Sequence, residues 1–92
     1  MDILFTGKVK RKLKPFTNNN GKQQQSVLVT IDMDNEVCLS LFDDMIEVLN
    51  EFNQEDTLEF YCHIRVDFKG RNYINVNLIK PAAIISGLKI NI

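Results

Sequence analysis

Apolar and polar residues alternate most regularly between Leu58 and Lys80, and this period of two predicts one long β-hairpin. Leu58, Phe60, Cys62, Ile64, Val66 and Phe68 form the expected inner face of its first strand, against Glu59, Tyr61, His63, Arg65, Asp67 and Lys69. On the second strand Ile74, Val76 and Leu78 oppose Tyr73, Asn75 and Asn77, while Ile79 fits neither set. A two-residue Gly70-Arg71 turn would set Val66 opposite Asn75 and mix the faces. An odd loop, Gly70-Arg71-Asn72, sets even residues opposite even ones, and Asn72 tolerates the left-handed conformation such loops use.

The same reading gives the earlier elements. Ile3 to Leu13 is a first strand, with Ile3, Phe5, Val9 and Leu13 on one face and Lys8, Lys10, Lys12 and Lys14 on the other; Gly7 marks a bulge or bend. Lysines at every second position stand about 6.8 Å apart, near the spacing of phosphates in an extended single strand. They also deter pairing at a sheet edge. Residues 15–25 (PFTNNNGKQQQ) form a polar loop with Phe16 near its start, between Lys14 and Lys22. Ser26 to Met33 is the second strand, Asp34-Asn35 a turn, and Glu36 to Leu41 the third strand. From Asp43 to Phe52 the period changes: Met45, Val48, Leu49 and Phe52 make a helical stripe, and Asp44 with Glu47 resembles a capping box. Pro81 ends the hairpin. The apolar residues 82–92 form an extension to a domain of residues 1–81, an extra strand in the same barrel or one shared with a second subunit.

Composition adds four constraints. A length of 92 residues with 45% hydrophobic and 25% charged residues describes one ordinary globular domain. No window is apolar enough to span a membrane, and Met1-Asp2 leads straight into a strand, so a cytoplasmic location is expected. Cys38 and Cys62 are isolated thiols, expected buried and reduced; with one histidine zinc chemistry has almost no material, and no cofactor is expected. Net charge of −1 conceals a segregation: Lys8, Lys10, Arg11, Lys12, Lys14 and Lys22 precede residue 23, whereas no Lys or Arg stands between Asp32 and Asp56. The basic pole is a candidate surface for a polyanion.

The element order is β-β-β-α-β-β, all-β with one short helix, as in the five-stranded Greek-key barrel called the OB-fold. An α+β roll with an open five-stranded sheet is the competing architecture. Three segments, FTGKVKRKLKPFTNNNGKQQQSVLVTID, LSLFDDMIEVLNEF and FKGRNYINVNLIKPA, resemble bacterial and phage single-stranded-DNA-binding proteins. The shared features are a Gly-X-Val first strand, a loop closing on Gly-Lys, a phenylalanine before the helix and a Gly-Arg-X-Tyr hairpin. The likeness covers residues 3–83. It implies an OB-fold and single-stranded DNA as partner. The chain departs from that family in having no tryptophan, with Leu28 and Ser40 on comparable faces, and in its apolar rather than acidic terminus.

No nucleophile, general base or phosphate loop takes shape around His63, Gly7 or Gly70, so an enzyme is not expected. The expected function is binding of single-stranded nucleic acid, DNA before RNA, with low sequence specificity, in replication, recombination or mobile-element biology. Lys8, Lys10, Lys12, Lys14, Lys22, Arg65, Lys69 and Arg71 would meet phosphates, and Phe16, Tyr61 and Tyr73 would stack on bases. A homo-oligomer, most simply a dimer, would use residues 84–92. A protein-interaction module is the alternative, and a sequence pI of about 5.7 favours it.

Overall fold

The structure is a computed structural model that describes residues 1–32, 35–53 and 56–82. Its elements are β1 (Asp2–Lys12), β2 (Phe16–Thr17), β3 (Gln23–Asp32), β4 (Asn35–Phe42), α1 (Asp44–Asn50), β5 (Thr57–Val66) and β6 (Asn72–Pro81). Antiparallel pairings β1–β3, β3–β4, β5–β6 and β1–β5, with one parallel pairing of β4 to β6, close a five-stranded ring. This is the OB-fold barrel, with the short β2 added along β3. The residues on which the extra C-terminal strand and the dimer interface were expected, 84–92, lie outside the described residues.

β1 serves two neighbours. Residues 2–8 pair with β5 and residues 8–12 with β3, so the strand must bend between them. Gly7 sits at that bend, where a Cβ would come within 2.2 Å of the Thr30 carbonyl oxygen; no other residue fits without moving backbone. A bulge follows at Lys10, between Val9 and Arg11. It turns the strand by one residue, and the even spacing of the lysines therefore does not make one row. Lys12 is opposite the fully buried Val27, and its amine reaches Asn50 of α1 at 3.5 Å. Lys10 is ion-paired with Glu36.

Alternation along each strand fills the core. Val9, Val27, Val29, Leu39, Leu41, Leu58, Phe60 and Cys62 are buried, and α1 adds Ile46 and Leu49. Each such side chain contributes about 1.5–3 kcal/mol by leaving water. The helical stripe is thus carried by Ile46 and Leu49, with Met45, Val48 and Phe52 packed partly against the core. The capping box does not form. Asp43 starts the helix with φ 47° and no side-chain cap; its carboxylate instead accepts from Gln23 N at 3.2 Å. Cys62 is buried, which pushes its thiol up to about 11, but Cys38 is exposed, opposite Leu28 on the outer face, so the expected buried pair is not one.

The hairpin keeps even residues opposite even ones at its tip, with Ile64 facing Ile74 and Cys62 facing Val76. Its loop is longer than expected, spanning residues 67–71. A bulge at Asn77 then inverts the face of β6: Phe60 opposes Ile79, Ile79 is buried, and Leu78 is exposed. The inner face also ends early. The pairing of β1 with β5 ends at Asp2 and His63, Ile64 N donates to Met1 O just ahead of β1, and beyond it β5 has no β1 residue beside it. Val66 is 61% exposed and Phe68 91%, so neither is the core residue the alternation implies.

Candidate nucleic-acid interface

Two loops rise beside the barrel's outer face and enclose a groove of about 640 Å³. One wall is the loop of Asn18, Asn19, Asn20 and Lys22; the other is the hairpin end, with Arg65, Asp67 and Tyr73. The floor is Gln24 of β3, Ser40 and Phe42 of β4, and Asn75, Val76 and Asn77 of β6. The parallel step of β4 to β6 places Ser40 opposite Asn75 at the centre.

Each wall is held by one side chain. Asn18 Oδ1 accepts from Asn20 N at 2.9 Å and Lys22 N at 3.1 Å, with Gly21 at φ 81° completing the turn. In the other loop Asp67 Oδ1 accepts from Lys69 N at 2.8 Å and Arg71 N at 2.9 Å, while Oδ2 takes Arg71 Nε at 2.8 Å and the Tyr73 hydroxyl at 3.3 Å. Gly70 supplies the positive φ of 83°. These donors, the Arg71 amide foremost, hold the Asp67 carboxyl below its ordinary value. A depressed carboxyl stabilises the fold above the unfolded value of 3.8 and loses that contribution as pH falls through the lower folded value. The amides of Lys69 and Arg71 should therefore lose protection, relative to their intrinsic exchange rates, selectively in strongly acid solution. Equal protection in acid and at neutral pH would remove Asp67 as the loop's anchor.

The guanidinium of Arg65 lies 4.8 Å, and that of Arg71 6.0 Å, from the Tyr73 ring centroid. Arg65 faces the groove, whereas Arg71 is committed to Asp67. Lys69 stands over the ring of Phe68, 5.6 Å from its centroid, at the tip.

Of the residues the sequence nominates, Lys22, Arg65 and Tyr73 meet in the groove, with Lys69 and Arg71 on the adjoining loop. Phe16, half exposed, pairs with Gln24 across β2–β3 and so shares the face of the floor. Lys8, Lys10, Lys12 and Lys14 do not line the groove. Tyr61 does not either: it sits with Leu4 and Leu78 on the outer face of β1, β5 and β6, its hydroxyl donating to Glu59 at 3.2 Å and Lys80 5.5 Å from its ring.

Sequence reasoning missed Phe42, Phe68, Gln24 and the floor amides. Phe42 had a signal, since it follows the inward Leu41 in an alternating strand and must face out. Phe68 had none, because alternation alone does not mark where a barrel ends.

The described strands close an OB barrel with a two-walled groove beside it, and comparisons with solved structures agree on the fold. The second OB-fold domain of replication protein A from Methanococcus maripaludis is similar with a TM-score of 0.64 and 17% identity, over 90% of this chain and 85% of that one. The SSB domain of a Synechococcus protein is similar with a TM-score of 0.66 and 7% identity, over 85% of this chain and 91% of that one. No family model matches the sequence, and no curated protein matches it.

Proposed function

We propose that this chain binds single-stranded nucleic acid, DNA in the first place, along the groove between the 18–22 loop and the β5–β6 hairpin. The observation that carries the reading is the placement of Lys22 on one wall, Arg65 and Tyr73 on the other, and Phe42 on the floor between them. A flexible strand can lay its phosphates against the cations while its bases stack on aromatic faces, each stack contributing about 1–3 kcal/mol. A duplex offers no free base faces for such stacking. The exposed Phe68 with its neighbouring Lys69 extends the same chemistry beyond the groove. The similarity to the replication protein A and SSB domains is in keeping with a role in replication, recombination or mobile-element biology. The proposal involves no catalytic step and no cofactor.

Fluorescent oligo-dT, oligo-rU and duplex DNA, titrated at two salt concentrations, test it. Oligo-dT should bind with an affinity that falls steeply with salt, because each neutralised phosphate releases counterion, and duplex should bind far more weakly. Absence of oligo-dT binding at low salt and high micromolar protein rejects the reading. A second reading, a protein-interaction module, draws on the partly exposed row of Leu4, Tyr61 and Leu78 across β1, β5 and β6. That rejecting outcome would favour it.

A further inference from the structure

The groove holds more carboxamides than charges: Asn18, Asn19, Asn20, Gln24, Asn75 and Asn77 line it, against the cations Lys22 and Arg65 and the acid Asp67. Phosphate recognition does not need amides. Base edges do, because an amide presents a donor and an acceptor side by side.

Which end of an amide faces a ligand is usually ambiguous, but at Gln24 a relay fixes it. Asn18 Oδ1 accepts two backbone N–H groups, from Asn20 and Lys22, so its oxygen is committed to its own loop. Its Nδ2 must then point away from that turn, and it donates to Gln24 Oε1 at 3.2 Å. A flip of Gln24 would set one amino group against another. Gln24 therefore keeps its oxygen on Asn18, which leaves its Nε2 amino group, a donor, as the end free for a ligand in the groove that Gln24 lines.

The position of that donor matters because of its neighbour. Gln24 pairs directly with Phe42 across β3–β4, so both side chains leave the same face of the sheet. Facing Cβ atoms in such a pair stand about 4.5–5.5 Å apart. A base stacked on the Phe42 ring brings its edge beside Gln24. An exocyclic carbonyl there accepts a hydrogen bond, and an exocyclic amino group meets a second donor and loses solvation without compensation.

We infer that Gln24, oriented by Asn18, selects a base with a carbonyl edge at the Phe42 position, so that thymine or uracil is preferred to cytosine. The inference rests on the proposed single-strand function and makes Gln24 a specificity-determining residue within it. It adds a preference at one position to the low sequence specificity expected from the cations and rings alone.

Thymine and cytosine differ at the carbon-4 substituent, carbonyl against amino, with the N3 proton that accompanies the carbonyl and the thymine methyl group, and are otherwise close in size. Equal-length oligo-dT and oligo-dC, competed against one labelled strand, read that difference, and the variants below assign it to Gln24. Oligo-dT should win by about fivefold or more, the discrimination expected of a good base-edge contact. Gln24→Glu keeps the shape, retains an acceptor for Asn18 and presents an acceptor to the base; it should reverse the order to favour oligo-dC, whatever the added charge does to both. Asn18→Asp keeps the acceptor for the backbone amides but removes the donor to Gln24, freeing the glutamine to turn, and should bring the ratio toward one. A thymine preference unchanged in both variants would place its origin in stacking and chain flexibility and overturn the inference. Equal wild-type binding of the two oligomers overturns it as well, while leaving the single-strand function standing. Failure of both oligomers to bind at low salt rejects that function and the inference together.

Discussion

Phe60→Ala should cost about 3–5 kcal/mol of stability, much of the 5–15 kcal/mol that typically holds a domain of this kind together. Phe60 is fully buried, opposite Phe5 on β1 and Ile79 on β6, at the place where three strands of the barrel converge. Truncation leaves a cavity that strands paired on both sides cannot collapse to fill. The melting temperature should fall by roughly 15 °C or more. Phe68→Ala is the matched control. Its ring is 91% exposed at the hairpin tip, so stability should change by no more than about 0.5 kcal/mol. Thermal melts of the two variants decide the matter. A large loss for Phe68→Ala, or none for Phe60→Ala, would mean that the inner face of β5 extends to the tip after all.

The contrast shows how far a period of two can be read. Alternation identified the hairpin, its inner residues Leu58, Phe60 and Cys62, the inward Val27 and Val29, and the element order that becomes the barrel. It is a property of one strand, however, and burial depends on neighbours. β5 past Ile64 has no β1 beside it, so the same pattern continues into solvent at Val66 and Phe68. Bulges defeat the pattern in another way. Each inserts one residue and inverts the face from there on, as Lys10 does for the lysines and Asn77 for Ile79. The awkward apolar Ile79 was the trace of the second bulge; Lys12 left no trace of the first.

The groove was legible by its ends rather than its floor. Lysine, arginine and tyrosine near the two loops pointed to Lys22, Arg65 and Tyr73. The three glutamines of residues 23–25 carry no hydrophobic alternation and read as loop, yet they open β3 and divide its tasks. Gln23 ties β2 through Thr17, Gln25 is buried and donates to the Leu13 carbonyl, and Gln24 faces the groove. Such a division appears only when strand partners are known.

Tyr73→Ala should weaken oligo-dT binding by about 1–3 kcal/mol, the contribution of one stacking aromatic. The ring does more here than present a face. It carries the Arg65 guanidinium at 4.8 Å, and its hydroxyl reaches Asp67, so truncation also frees the cation that faces the groove. Tyr73→Phe keeps the ring and should bind nearly as well as the parent chain. The two arginines separate charge from architecture. Arg65→Ala should lower the slope of log affinity against log salt by about 0.7, the value of one phosphate contact on a single strand. Arg71 has its guanidinium on Asp67, and Arg71→Ala should leave that slope unchanged while loosening the loop. Affinities across a salt series, with melts of the same variants, read both effects. If Tyr73→Ala lowers the melting temperature but not the affinity, the ring braces the hairpin and the strand lies elsewhere. If Arg71→Ala alone reduces the salt slope, the contacting cation is on the loop rather than on the groove wall.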